Sequence, residues 1–212
     1  LQMSFFVDWY YATRELVSNA VYFPKVSRQG NTDMQIVTSY PMGEWKSIMQ
    51  GLLQVISQSR RYLYIQTPYF LPTEPILMAL RNAALAGVDV RLMVPRRGDS
   101  LLADLASHSY YKEAMTAGIK IYQYEAGYLH SKVVLADDNF VTVGSTNIDF
   151  RSFEHNFEIN AFIYDPEVVR EMKRIFMYDL EHSKRVVVSE WRKRPLWNRF
   201  WESLVRLLSP LL

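Results

Sequence analysis

A histidine and a lysine separated by one residue are the first residues of this sequence whose types and spacing point to chemistry. They are His130 and Lys132, with Ser131 between them. Side chains at positions i and i+2 of a strand point the same way, so a strand over 129–136 would present both groups to one pocket. An imidazole beside a fixed ammonium suits attack on a phosphodiester, because the cation offsets the phosphoryl charge that repels a nucleophile.

A carboxylate follows this pair after four residues, at Asp137. We count Asp137 with the catalytic residues, in a supporting role. On a regular strand the side chain of Asp137 would point to the face opposite that of His130 and Lys132. The negative charge of a phosphoryl group would also repel an anion. We therefore expect its carboxylate to pair with a cation away from the substrate.

Further polar residues follow at short spacing. Ser145 and Asn147, two positions apart, offer a hydroxyl and an amide to phosphoryl oxygens. Gly144 before them permits close approach of the backbone. Glu158 is the expected partner of the second ring nitrogen of His130, where it would set the tautomer and stabilise the developing positive charge.

The elements that must position these residues alternate along the chain. Apolar periodicity predicts helices over 45–59, 75–86 and 101–117, and strands over 35–39, 62–67, 88–94, 119–124, 129–136, 140–143 and 157–164. Prolines at 68 and 72 predict a rigid turn between them. Such alternation predicts a layered α/β fold, an α-β-α sandwich with a mixed, mostly parallel sheet.

Composition suggests three parts. Residues 1–40 carry aromatics at helical spacing and then a Pro-, Ser- and Gly-containing stretch, which we interpret as the end of a preceding domain plus a linker. Residues 41–190 contain the alternating helices and strands and the polar residues above, and we interpret them as the catalytic part. Residues 191–212 form an amphipathic tail, in which basic residues precede a Trp/Phe/Leu face. This tail has two interpretations, an interfacial membrane helix or a terminal helix docked on the protein.

Charge and cysteine content exclude some classes of function. The chain has 24 Lys+Arg against 22 Asp+Glu, and this near-neutral balance argues against a nucleic-acid partner. The absence of cysteine excludes disulfides and thiolate metal sites. Because 49% of the residues are hydrophobic, the chain can build a substantial core.

The pattern HxK, four residues, D, six residues, GSxN and a later Glu resembles the phospholipase D superfamily. The wider segments YIQTPYFLPTEPILMALRNAALAGVDVRLMVP, YEAGYLHSK and GSTNIDFRSFEHNFEIN resemble the C-terminal half of bacterial cardiolipin synthases. The resemblance covers nearly the whole chain, from about Met3 to its end.

This resemblance implies roles for the residues above. His130 would be the nucleophile or its acid–base counterpart and Lys132 the phosphate-binding lysine. The motif aspartate falls on Asp137, and phosphate-binding or histidine-orienting roles fall on Ser145, Asn147 and Glu158. Enzymes of this type use two such motifs. One histidine forms a phosphohistidine, the other protonates the leaving alcohol and a second alcohol resolves the intermediate, so no metal or other cofactor is expected.

The implied function is a phosphatidyltransferase that makes cardiolipin from two phosphatidylglycerol molecules and releases glycerol. Its expected partners are phosphatidylglycerol, a membrane surface and a second motif-bearing half, either in a longer chain or in a second copy. The expected location is the bacterial inner membrane, with the catalytic part on the cytoplasmic side.

One departure from the pattern matters, because the chain holds a single complete motif. His182-Ser183-Lys184 repeats the triplet, but the other motif residues do not follow it, and we interpret it as a solvated cluster. Two alternative functions remain. One is a phospholipase D-type phosphodiester hydrolase or nuclease, in which water resolves the intermediate. The other is a non-catalytic, membrane-associated scaffold domain.

Overall fold

A computed structural model of the chain describes residues 1–27 and 29–209. Arg28, in the expected linker, and residues 210–212, at the end of the expected tail, lie outside the described residues.

Helices and strands alternate along the chain as predicted. The helices are α1 (Gln2–Thr13), α2 (Ser47–Gln58), α3 (Glu74–Leu85), α4 (Leu101–Thr116), α5 (Phe150–Glu154), α6 (Pro166–Glu181), α7 (Val188–Arg192) and α8 (Leu196–Arg206). The strands are β1 (Met34–Ser39), β2 (Tyr62–Gln66), β3 (Phe70–Leu71), β4 (Asp89–Pro95), β5 (Lys120–Tyr124), β6 (Val133–Ala136), β7 (Phe140–Gly144), β8 (Ile148–Asp149), β9 (Glu158–Ile163) and β10 (Ser183–Arg185). None of the helices in the described ranges is long and apolar enough to cross a bilayer.

Eight strands of the described residues form one mixed sheet, in the order β1-β9-β7-β6-β2-β4-β5-β10. The neighbours β2, β4 and β5 pair in parallel, and the other pairings are antiparallel. As a result β1, β2, β4, β5 and β7 run in one direction and β6, β9 and β10 in the other. The layered α/β fold with a mixed sheet is therefore confirmed.

Two hydrophobic clusters cover the two faces of this sheet. On one face, α2, α3 and α4 pack against alternate strand residues such as Leu63 and Val134. On the other face, α6 packs through Val169 and Phe176 against the intervening residues, including Tyr64. This alternation is the period of two that a strand imposes on its side chains, and it produces the three layers.

The segment that carries His130 differs from the prediction, because regular strand structure begins only at Val133. The predicted alternation of side chains between the two faces of the sheet is nevertheless retained. Leu129, Val133 and Leu135 belong to the cluster under α6, whereas Val134 belongs to the opposite cluster. His130 and Lys132 therefore precede β6 in an irregular segment that leads into the sheet in the expected register.

Two boundaries also require correction. The predicted strand over 35–39 is present as β1, but the boundary at residue 40 is wrong, because β1 pairs with β9 along its whole length and so belongs to the sheet. The segment between the prolines is not only a turn, since Phe70–Leu71 pairs in parallel with Ile148–Asp149. Both pairings join residues more than 70 positions apart, so local pattern could not reveal them.

The two ends of the chain pack differently. No side chain of α1 is buried, and its Tyr11 ring contacts Phe157 at 5.2 Å between centroids. In α8, by contrast, Glu202 and Val205 are buried. The docked interpretation of the tail is therefore correct for one face of α8, and membrane contact through the other face stays a prediction. That residues 1–33 end a preceding domain also stays a prediction.

Candidate active site

The predicted site residues other than Asp137 gather at one edge of the sheet. Because β6 runs antiparallel to β2, with Val133 opposite Gln66, the residues before β6 lie where the parallel strands β2, β4 and β5 end. Ligands of open α/β sheets bind at this carboxyl edge. His130, Lys132 and the residues after β7 therefore occupy the edge that is suited to a site.

His130 is exposed and is held by a tyrosine rather than by the expected carboxylate. Its Nδ1 lies 3.2 Å from the Tyr128 hydroxyl, and the two rings stack with centroids 5.4 Å apart. The hydrogen bonds found among the described residues do not connect His130 to Glu158. The expectation that Glu158 binds the second ring nitrogen is therefore not met in this structure.

Tyr128 lies near a carboxylate from a neighbouring loop, that of Asp99. The Tyr69 hydroxyl donates to Asp99 at 2.6 Å, and Tyr128 interacts with both of these residues. The hydrogen bond from Tyr69 lowers the pKa of Asp99 and outweighs the opposing effect of burial; Tyr128 and the nearby His130 lower it further. Tyr128 and Asp99 were not among the predicted site residues, although Tyr128 lies only two positions before His130.

Lys132 is a partly buried cation with spare hydrogen-bonding capacity. Its Nζ donates to the His130 carbonyl at 2.8 Å, and no carboxylate lies within ion-pair distance of it among the described residues. Burial lowers the pKa of Lys132, while Glu158, Asp149 and Asp99 act in the opposite direction from further away. An ammonium in this state can still bind an anion, and the anion would relieve its cost of burial.

Glu158 is fixed on the Lys132 side of the site by two side chains. Ser145 Oγ donates to Glu158 Oε2, and Asn156 Nδ2 donates to Oε1 at 3.1 Å. Ser145 Oγ also accepts from the backbone N–H of Ile159 at 3.0 Å. Ser145 and Glu158 thus form one preorganised unit, at the junction of β7 and β9 where Gly144 N–H meets the Lys132 carbonyl.

Asn147 lines a small cleft beside this unit. Its Nδ2 donates to Asp149 at 2.9 Å, which leaves a second hydrogen on that nitrogen, and its Oδ1 is buried without a partner among the described residues. The cleft has a volume of about 330 Å³, and Tyr69 and Arg151 also line it. Within the described ranges, no group of three or more His, Cys, Asp and Glu side chains could hold a metal ion.

Asp137 does not belong to this site. The four residues of β6 lie between Lys132 and Asp137, and at about 3.4 Å per residue they put the two at opposite edges of the sheet. The Asp137 carboxylate accepts backbone N–H groups of Arg60, Arg61 and Tyr62 at 2.6–2.9 Å. The expectation that the Asp137 carboxylate pairs with a cation is also wrong, because the neighbouring Asp138 makes the ion pairs to Arg61 and Lys173. Asp137 instead anchors the start of β2.

The second HxK triplet is structural. His182 ends α6, and its Nδ1 lies 2.9 Å from the Tyr178 carbonyl oxygen. Lys184 lies in the edge strand β10, which is four strand positions from β6 and therefore about 19 Å away. The triplet does not contribute to the candidate site.

Comparisons with known proteins agree with this architecture. Residues 52–180 match the protein family described as cardiolipin synthase, PLD-like domain. Over its full length the chain is 44% identical to cardiolipin synthase 2 of Bacillus anthracis and 42% identical to the major cardiolipin synthase ClsA of Bacillus subtilis. It covers 42% and 44% of those proteins, so the chain spans less than half the length of the curated relatives it matches.

Solved structures share the fold. The phospholipase D family member Nuc from Salmonella typhimurium has a TM-score of 0.62 at 22% identity, over 74% of this chain and 99% of that chain. A phosphatidylserine synthase from Haemophilus influenzae has a TM-score of 0.70 at 14% identity, over 88% of this chain and 49% of that chain. At these identities the likeness concerns the fold alone.

Replacing Asp137 should destabilise the fold in a pH-dependent way. Burial opposes its ionisation, but the N–H groups of Tyr62, Arg60 and Arg61 outweigh this effect and lower the pKa of Asp137. Because the folded pKa lies below the unfolded one, the stabilisation is present above about pH 3.9 and is lost as pH falls through the folded pKa. We expect Asp137→Ala to lower the free energy of unfolding by about 2 kcal/mol at pH 7 in urea titrations.

Asp137→Asn is the matched control, since it keeps one oxygen acceptor and tolerates the left-handed backbone at φ 53°. It should lose less stability than Asp137→Ala. Equal stability of the wild type and Asp137→Ala at pH 7 would contradict the anchoring role.

Gly144→Ala should disrupt the junction of β7 and β9. A Cβ at this position would overlap the Asn160 side-chain oxygen and the Ile159 carbonyl oxygen. Because overpacking of this kind typically costs about 1–3 kcal/mol, we expect a lower thermal midpoint. Gly30→Ala is the control, since a Cβ there meets nothing within 4 Å. An unchanged midpoint for Gly144→Ala would show that the junction can relax.

Proposed function

Since this chain belongs to the cardiolipin synthase family of phospholipase D-like domains, we propose that it supplies one half of the active site of a phosphatidyltransferase. The reaction joins two phosphatidylglycerol molecules into cardiolipin and releases glycerol. The observation that carries the proposal is the pairing, at one sheet edge, of an exposed imidazole with a lysine that has no ion-pair partner among the described residues.

His130 is the nucleophile in this proposal. With a hydrogen on Nδ1 directed to the Tyr128 hydroxyl, the lone pair on Nε2 is available for phosphorus. The carboxylate of Asp99 also stabilises the positive charge that develops on the ring as the nitrogen–phosphorus bond forms. Tyr128 and Asp99 are therefore positioning residues that act through His130.

The other residues act on the phosphoryl group. Lys132 offsets its negative charge, and the second Nδ2 hydrogen of Asn147 offers a donor to a phosphoryl oxygen. Ser145 holds the Glu158 carboxylate, whose charge opposes the lowering of the Lys132 pKa by burial. These roles rest on side chains that the fold brings to one edge of the sheet.

The reaction needs a second imidazole. As the first phosphorus–oxygen bond breaks, the glycerol oxygen takes a proton from a histidine of another motif-bearing half. A hydroxyl of the second phosphatidylglycerol then gives its proton to that histidine and attacks phosphorus, so that the bond to His130 breaks. The chain contributes one complete motif, and we propose that the partner half lies in a longer chain or in a second copy.

The lipid substrate implies a membrane surface. We place the protein at the bacterial inner membrane because its relatives are bacterial cardiolipin synthases. The cytoplasmic side remains the side that we propose for the catalytic part. The near-neutral charge of the chain supports a lipid rather than a nucleic-acid substrate.

His130→Ala, in the enzyme that contains its second motif-bearing half, should lower cardiolipin formation by at least about 1,000-fold, because the nucleophile is lost. Labelled phosphatidylglycerol followed by lipid chromatography measures the product, and acid-labile label on the protein measures the phosphohistidine. His182→Ala is the matched control and should retain activity. With the enzyme that retains His130, formation of phosphatidic acid in place of cardiolipin would show a hydrolase. The absence of both a lipid product and labelled protein would favour a scaffold.

Tyr128→Phe should lower kcat about tenfold and leave KM unchanged, since it removes one hydrogen bond that orients the nucleophile. The exposed Tyr178→Phe provides the control for loss of a tyrosine hydroxyl. Equal kcat values for Tyr128→Phe and the wild type would remove the positioning role.

A further inference from the structure

The tail helix α8 is held on the protein by one face. Glu202 and Val205 are each 5% exposed, and Arg194 forms a bidentate ion pair with Glu202. Arg206 pairs with Glu113 of α4 at 3.0 Å. These contacts determine which face of α8 points away from the protein.

The outward face is aromatic and exposed. Trp197 is 66% exposed and Phe200 55% exposed. Together with Trp201 they form one ring cluster, with centroids 5.6–5.8 Å apart. The same face carries further exposed side chains, Leu196, Leu204, Leu207 and Leu208. Tryptophan and leucine on one helix face, next to basic residues, suit the boundary between lipid headgroups and acyl chains.

A basic cleft of about 480 Å³ adjoins this face, between α4, α7 and α8. Lys112, Arg192 and Arg199 line it, all three are exposed, and none has an ion pair or side-chain hydrogen bond among the described residues. Arg194 also lines it, but Glu202 neutralises its charge. Burial, with a smaller effect of Arg194, lowers the pKa of His108 to about 4, so His108 is neutral at pH 7.

We propose that this cleft binds the phosphate of an anionic phospholipid while the aromatic face of α8 enters the membrane interface. Three cations without ion-pair partners in the described part of the chain line a space that can hold an anionic headgroup, and Arg199 lies next to Phe200 in the helix. A bilayer supplies a fixed anion beside an apolar layer, whereas a soluble anion leaves the aromatic face in water. This cleft shares no lining residue with the cleft beside Asn147.

This inference extends the proposed function, because it describes how the domain contacts the surface that holds its substrate. Binding is therefore measured with the His130→Ala form of the 212-residue chain, in which a failure of the proposed chemistry has no effect on the result. Circular dichroism establishes that each variant is folded.

The charge test compares vesicles of phosphatidylcholine with vesicles that contain 30% phosphatidylglycerol, by sedimentation over a range of salt concentrations. Removing three cations by K112A/R192A/R199A should weaken binding to the anionic vesicles at least tenfold, because each cation near an anionic surface contributes about fivefold. The control K25A/R60A/R170A removes the same charge from exposed positions elsewhere and should weaken binding less than threefold. Equal losses in the two triple variants would overturn the site.

Two further measurements separate the lipid surface from other occupants. Brominated lipids should quench the tryptophan fluorescence of the chain that retains Trp197 and Trp201. The W197F/W201F variant should lose most of this quenching. Millimolar inorganic phosphate or glycerol 3-phosphate should not compete with the vesicles. A folded chain that binds neither kind of vesicle, or competition by free phosphate, would overturn the proposal. If the triple variant does not fold, the quenching measurement still decides.

Discussion

The antiparallel pairing of β6 with β2 is the constraint on which the rest of the structure depends. It places the residues before β6 at the carboxyl edge of the parallel strands and the residues after β6 at the opposite edge. The Asp137 carboxylate secures this arrangement, because it binds three consecutive backbone N–H groups at the start of β2. A shift of one residue in this register would move His130 and Lys132 to the face under α6.

The charged groups of the site influence one another without forming ion pairs. The charges of Glu158 and Asp99 act to raise the pKa of Lys132, yet Lys132 makes no ion pair within the described part of the chain. Each carboxylate is instead occupied by neutral donors, Glu158 by Ser145 and Asp99 by Tyr69. A cation left in this state can bind a phosphoryl group without first breaking a salt bridge. The same logic applies on a larger scale at α8, where Glu202 neutralises one arginine and the neighbouring cations face the cleft.

Several features could be predicted from the sequence because they follow from local pattern. The period of two along the strands and the helical stripes led to the layered fold, which is confirmed, and to the parity that puts His130 and Lys132 on one side. The motif spacing led to the resemblance to the phospholipase D superfamily, and the wider segments led to the resemblance to the cardiolipin synthases, which the family match confirms. Gly144 was expected at a close backbone approach, and a Cβ there would overlap Ile159 and Asn160.

Only the tertiary structure decided which of these residues meet, since hydrogen bonds between distant segments leave no trace in local pattern. The contact of Asp137 with Tyr62 spans 75 positions, and that of Tyr69 with Asp99 spans 30. Motif spacing identified the polar residue types, but not that Tyr128 rather than Glu158 would contact the imidazole. The sequence by itself therefore determined the fold class, the family and the candidate side chains. Their partners depended on strand pairing and loop approach, which bring together groups that are far apart along the chain.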